Sequence, residues 1–150
     1  MFFFIGTEAE LIKVFPVIMK CQEKGAVCNI IASGQNDLKK NRILDYIKLN
    51  GSYIELSQEA DIKKSVVGLF RWFISTRENA AKIIARYFNI KDMQNKPMVV
   101  HGDTVSTFMG ALIGKQLHMN VCHIEAGLRS HHLLNPFPEE IDRMLTSRVA

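Results

Sequence analysis

The 150-residue sequence predicts a doubly wound, mainly parallel α/β sheet. Two observations carry that prediction. Short apolar runs alternate with longer segments of helical periodicity, so that βα units repeat along the chain. The runs also stop abruptly at glycine or at polar and acidic residues, as buried strands do when they deliver side chains to one edge of a sheet.

The first run, Met1 to Ile5, ends at Gly6 and Thr7, after which Leu11, Ile12, Phe15 and Ile18 recur at helical spacing. Thr7 suits the N-cap, with Glu10 three residues on to complete a capping box. Pro16 inside this helix removes one backbone donor and predicts a kink. Gly25 ends the helix, and Val27 to Ala32 forms a second strand that stops at Ser33 and Gly34, completing a right-handed βαβ unit. Asp37 to Leu49 reads as a polar helix with Leu38, Ile43, Leu44 and Ile47 as its apolar positions, and Tyr53 to Leu56 as a third strand.

Glu59 to Phe88 is long and helical throughout, which predicts two helices or a break around Ser75 to Arg77. Its Phe70, Trp72 and Phe73 fall among other helical apolar positions and read as core. Asn95 to Pro97 is a turn, Met98 to His101 a fourth strand, Thr104 to Leu117 a helix and Val121 to Ile124 a fifth strand. A polar loop follows to Asn135. Pro138 then opens a helix that the sequence leaves uncapped, so a piece of a longer protein is expected.

Composition excludes several classes. The net charge of +4 comes from scattered lysines and arginines, with no recognition motif for nucleic acid. MFFFI lacks the basic flank and the length of a signal segment, and no run is long enough to span a membrane. Cys21, Cys28 and Cys122 are odd in number and form no CxxC pair, which fits a reduced, cytoplasmic setting. The five histidines match no zinc spacing, so no metal is expected. GxGxxG, P-loop and GxSxG motifs are absent, leaving nicotinamide, P-loop nucleotide and serine-hydrolase chemistry without support.

Polar groups instead gather at the strand ends. Strand four delivers His101, Gly102 and Asp103, and strand five delivers Glu125. Asp103 can cap the following helix and also serve a site. Glu125 needs a partner in a partly apolar setting, and Arg129 is the nearest in sequence. Glu139 and Glu140 suit the start of a helix, with Arg143 one turn after Glu139. His101 and His123 read as strand-end hydrogen-bonding residues near the carboxylates.

Four segments, GTEAELIK from Gly6, HGDT from His101, HIEAGLRS from His123 and NPFPEEIDRMLTSRVA from Asn135, together resemble the UDP-N-acetylglucosamine 2-epimerase family. The first is similar to the family's GTRPEAIK, and the others follow its HGDT, H-[VI]-EAGLR and PEE-x-x-R elements in order. The resemblance implies the Rossmann-like N-terminal domain of a glycosyltransferase-B-like, two-domain enzyme, truncated inside a helix. An absent C-terminal domain would supply most uridine and diphosphate contacts. The implied reaction is inversion at C2 of UDP-N-acetylglucosamine through loss and re-addition of UDP, within cell-surface polysaccharide synthesis. Asp103, Glu125 and Glu139 match the family's acidic catalytic positions and Arg143 the accompanying arginine. Lys13 matches a ligand-contacting lysine, and Glu8, His101 and Arg129 lie within matching elements as further substrate-binding candidates. A UDP-sugar ligand, no cofactor and a homodimer of the intact protein are implied.

Two departures stand out. Glu8 and Ala9 occupy the Arg and Pro positions of GTRPE, reversing charge where the nucleotide-sugar phosphates are expected. SGQNDLKK keeps Gln35 but has Asn36 and Asp37 where non-hydrolysing members usually carry His and Arg near a regulatory substrate site. A hydrolysing relative that releases UDP and N-acetylmannosamine, an enzyme for another UDP-2-acetamido sugar, and a non-catalytic nucleotide-sugar-binding module are the alternatives. The chain alone is expected to be inactive.

Overall fold

The computed structural model describes residues 1–57, 66–130, 132 and 138–150. Five strands, β1 (Phe2–Ile5), β2 (Asn29–Ala32), β3 (Tyr53–Glu55), β4 (Pro97–His101) and β5 (Asn120–Ile124), form one sheet in the order β3-β2-β1-β4-β5. Every pairing is parallel, as predicted. Helices α1 (Glu8–Glu23), α2 (Arg42–Ile47), α3 (Val66–Ile84), α4 (Ile90–Met93), α5 (Val105–Gln116) and α6 (Glu139–Val149) complete the described elements. Because β1 has β2 on one side and β4 on the other, the strand order reverses beside it, the point at which open parallel sheets place their ligand crevice.

The sheet is apolar on both faces, which is why its strands read as continuous hydrophobic runs. Phe2 and Phe4 of β1 point to the layer containing Trp72, Ile84, Met109 and Ile113. Phe3 and Ile5 point to the opposite layer, against Leu11, Val14 and Ile18 of α1. Glycine lets α5 lie close on the sheet: a Cβ at Gly110 would strike the Phe4 ring. Gly6, at the tip of β1, has the same function against Ser106, whose side chain fills the space a Cβ would need.

Local chemistry explains where elements differ from the sequence reading. The helix expected from Asp37 shrinks to Arg42–Ile47, because Asp37 Oδ1 accepts from Lys39 N–H and Asn41 Oδ1 from Ile43 N–H. Such side-chain bonds hold a turn open until Asn41 serves as the N-cap. The break expected around Ser75 to Arg77 does not occur: α3 is continuous, with buried Trp72, Thr76, Ala80 and Ile84 forming an unbroken i, i+4 stripe. The part of that long segment from 59 to 65 lies outside the described residues. Trp72 is core as predicted, Phe73 stacks on Phe108, and Phe70 is exposed. Helix α4, capped by Asn89, was not anticipated. Helix α1 runs on through Pro16 to Glu23. No helix among the described residues is long and apolar enough to cross a membrane.

Candidate functional site

At the tip of β1, Thr7 Oγ1 caps α1 by accepting from Glu10 N–H (3.2 Å). The Glu10 carboxylate reaches back to Gly6 N–H (2.6 Å) with one oxygen. Its other oxygen accepts from Thr104 Oγ1 (2.6 Å), the N-cap of α5, and thereby crosses from the first strand turn to the fourth. Burial pushes the Glu10 carboxyl above its ordinary range, opposed by these hydrogen bonds. Thr107 completes a capping box with Thr104 and donates its hydroxyl to the His101 carbonyl (2.7 Å). Beneath the turn, Ser33 Oγ and Ser106 Oγ lie 2.7 Å apart, and Ser106 Oγ lies 2.5 Å from Gln35 Oε1.

Asp103 is therefore not the cap. That position belongs to Thr104, whose shorter side chain closes the box with Thr107. Asp103 is free for a longer-range partner and accepts from Arg143 Nη2 of α6. Arg143 is buried, and its Nη1 lies 3.7 Å from Glu140. Glu140 has no exposed side-chain surface and also accepts from Arg129 Nε (2.5 Å) and Ser130 N–H (3.1 Å).

Glu125 ends β5 with φ +68°, a left-handed backbone that only a few per cent of non-glycine residues adopt. Strain of this kind persists where the surroundings over-determine it. Here Lys13 Nζ contacts both Glu125 oxygens at 3.2 Å, and His101 Nε2 lies 3.2 Å from Oε1. Partial burial raises the Glu125 carboxyl, but the Lys13 hydrogen bonds and the charges of His101 and Lys13 outweigh it and hold it below its ordinary range. The partner expected from sequence, Arg129, goes instead to Glu140. A lysine 112 positions away reaches Glu125 because α1 packs beside the strand ends.

The expected pairing of Arg143 with Glu139 likewise gives way to Asp103. Glu139 Oε2 and Asp142 Oδ2 are buried with no hydrogen-bond partner among the described residues. Burial, followed by the charges of Asp103 and Glu139, pushes the Asp142 carboxyl up to about 6. His123 Nε2 lies 2.7 Å from the Gly102 carbonyl and Nδ1 3.1 Å from Ser147 Oγ, joining β5 to the β4 turn and to α6. Burial lowers its pKa. His101 and His123 thus hold the strand-end roles expected of them.

Two groups of candidates result. Lys13, Glu125 and His101 form one, and Asp103 and Arg143 the other, with Glu139 close enough to Asp142 for their charges to interact. The loop from His101 to Thr104 carries members of both. Glu8 stands exposed at the start of α1 without an ion-pair partner among the described residues, and Arg129 braces the loop before α6. Sequence reading missed Glu10, Glu140 and Asp142 as buried acids; only their flanking motifs gave a signal. Among the described residues no group of three or more His, Cys, Asp or Glu is placed to hold a metal ion. Carboxylates set beside a lysine, an arginine and two imidazoles can move protons and stabilise developing charge.

The model of the UDP-N-acetylglucosamine 2-epimerase family matches residues 19–150. A UDP-N-acetylglucosamine 2-epimerase of Salmonella borreze is 30% identical over 99% of this chain, which covers 36% of that relative. A UDP-2,3-diacetamido-2,3-dideoxy-D-glucuronate 2-epimerase of Pseudomonas aeruginosa is 48% identical over 60 residues, 39% of this chain and 16% of the relative. The crystal structure of the Neisseria meningitidis UDP-GlcNAc 2-epimerase bound to UDP-GlcNAc superposes with TM-score 0.76 at 27% identity, over 99% of this chain and 38% of that one. The chain thus spans little more than a third of the length of these full-length matches. Sequence motifs, parallel sheet and family match agree that the chain belongs to the UDP-N-acetylglucosamine 2-epimerase family.

Proposed function

We propose that the intact protein is a nucleotide-sugar 2-epimerase and that this chain forms its Rossmann-like N-terminal domain, one wall of a cleft. A second domain carries most contacts to uridine and diphosphate. The substrate is UDP-N-acetylglucosamine and the product UDP-N-acetylmannosamine. In the forward step the C1–O bond breaks, its electron pair leaving on the diphosphate oxygen of UDP. The C2 proton passes to a carboxylate, and the C2–H electron pair becomes the C1=C2 bond. Return of UDP to C1 and of a proton to the opposite face of C2 completes inversion.

What supports this reading is that Asp103 and Glu125 follow the carboxyl ends of the neighbouring strands β4 and β5, paired with Arg143 and Lys13, while Glu139 opens α6, the helix that carries Arg143. Acidification of a C2 proton needs positive charge at C1, which carboxylates stabilise. Two-faced proton transfer needs more than one acid or base. Lys13 and Arg143 hold Glu125 and Asp103 and add positive potential for a departing diphosphate.

Incubation of the intact protein with UDP-N-acetylglucosamine in deuterium oxide, followed by proton and phosphorus NMR, tests the proposal. UDP-N-acetylmannosamine carrying deuterium at C2 is the expected product. Free N-acetylmannosamine with UDP would identify the hydrolysing reaction instead. The identity to the diacetamido-glucuronate enzyme favours a second reading, a UDP-2,3-diacetamido uronate substrate, run in parallel. No turnover of either sugar would overturn both readings.

A further inference from the structure

We propose that Glu10 is a positioning residue, a buried carboxylate that locks the Lys13-bearing helix α1 onto the loop carrying His101 and Asp103. The inference rests on the epimerase reading only where turnover is concerned.

Capping alone does not explain Glu10, since Thr7 already caps α1. Its side chain is almost wholly buried, and its two oxygens face donors from two different strand turns, Gly6 N–H four residues before it and Thr104 Oγ1 94 residues after it. Proton directions around it are set by the neighbours. Thr107 gives its hydroxyl proton to the His101 carbonyl (2.7 Å) and accepts from Thr104 N–H (3.2 Å). Thr104 Oγ1 accepts from Thr107 N–H (3.2 Å) and has its own proton for Glu10. With Thr104 giving its proton to Glu10 at 2.6 Å rather than to Thr107 Oγ1 at 3.1 Å, Glu10 accepts with both oxygens, as an ionised carboxylate does, whereas an amide can accept only one of the two bonds.

The consequence lies one turn further along α1. Lys13 follows Glu10 on the same rigid helix, and its reach to Glu125 depends on where that first turn sits. Asp103 directly precedes Thr104, and the His101 carbonyl is bonded to Thr107. One carboxylate thus sets the spacing between the Lys13–Glu125 pair and the Asp103–Arg143 pair. Displacements of this kind, far from the reacting atoms, change rate more than affinity.

Glu10→Gln in the full-length protein puts an NH₂ group against Gly6 N–H or displaces Thr104. A fall in kcat of at least about tenfold is expected, with KM changed by no more than about twofold. Thr104→Val should give a similar loss, Thr104→Ser should restore turnover, and the Glu10→Gln/Thr104→Val double variant should be little worse than either single one. A readout independent of turnover is the carboxyl carbon-13 NMR titration of Glu125. It should move upward in Glu10→Gln, in the same direction as in Lys13→Met. Wild-type protein inert toward UDP-sugars would remove the function and leave this titration to decide the positioning. The proposal is overturned if Glu125 titrates unchanged in Glu10→Gln, or if kcat per folded molecule stays within about twofold of wild type.

Discussion

Replacing Glu140 by glutamine should lower the melting temperature by roughly 6–12 °C, and the structure supplies the arithmetic. The Glu140 side chain has no exposed surface and accepts from Arg129 Nε at 2.5 Å and Ser130 N–H at 3.1 Å, with Arg143 Nη1 at 3.7 Å. Glutamine keeps one acceptor and turns an NH₂ group toward a donor. Breaking a buried ion pair costs about 3–5 kcal/mol, and a hydrogen bond to a charged group contributes about 1.5–3 kcal/mol. The Arg129 side chain is 29% exposed, so water recovers part of its loss, leaving a net cost of about 3 kcal/mol. At about 2–4 °C per kcal/mol this gives the stated shift. Thermal melting followed by circular dichroism measures it. Arg129→Met should cost less, and the double variant should show a coupling of about 1 kcal/mol. A Glu140→Gln melting temperature within about 2 °C of wild type would refute the idea that an ionised Glu140 fastens α6 to the loop before it.

Further outcomes follow from the same geometry. Asp103→Asn, Glu125→Gln and Glu139→Gln in the full-length protein should each lower turnover by about 10²–10⁴-fold while the protein stays folded, checked by NMR assay beside melting curves. If these residues only brace the fold, activity and melting temperature will fall together. Asp142 titrates higher in the folded chain than in the unfolded one, so its contribution to stability is full below about pH 4 and lost as pH rises through about 6. Asp142→Asn should therefore raise the melting temperature at pH 8 and change it little at pH 4; the opposite pattern would exclude a raised carboxyl. Gly110→Ala drives a methyl group into the Phe4 ring and should destabilise by about 1–3 kcal/mol in urea titration.

Legibility in the sequence divided along a physical line. Strands with both faces covered must be apolar throughout, so β1, β2 and β4 showed themselves as short hydrophobic runs, while the partly exposed edge strand β5 offered a more mixed one, and the polar tips of β4 and β5 marked the candidate site. Partners close in sequence were poor guides. Spacing paired Glu125 with Arg129 and Glu139 with Arg143, yet Lys13 and Asp103 are the partners formed. A helical i, i+4 pair is weak in water, whereas a pair closed at the strand ends loses less to solvent, so tertiary geometry prevails. Sequence also could not separate Asp103 from Thr104 as a cap, since both side chains suit that position and only the Thr107 hydroxyl decides. Helix α3 escaped the expected break because its buried stripe is continuous, a property of packing rather than propensity.

The close approach of Gly6 to Ser106 has an evolutionary consequence. Every single-base change in a glycine codon that alters the amino acid inserts a side chain with a Cβ, and at position 6 each would meet the Ser106 side chain. Alanine at position 106 keeps the obstructing carbon, so relief would have to begin with glycine there. That first change would forfeit the Ser106 contacts with Ser33 and Gln35 before anything was gained. The two positions therefore hold each other in place, and the tip of β1 is closed to stepwise variation while Glu8, two residues on and exposed, remains open to it.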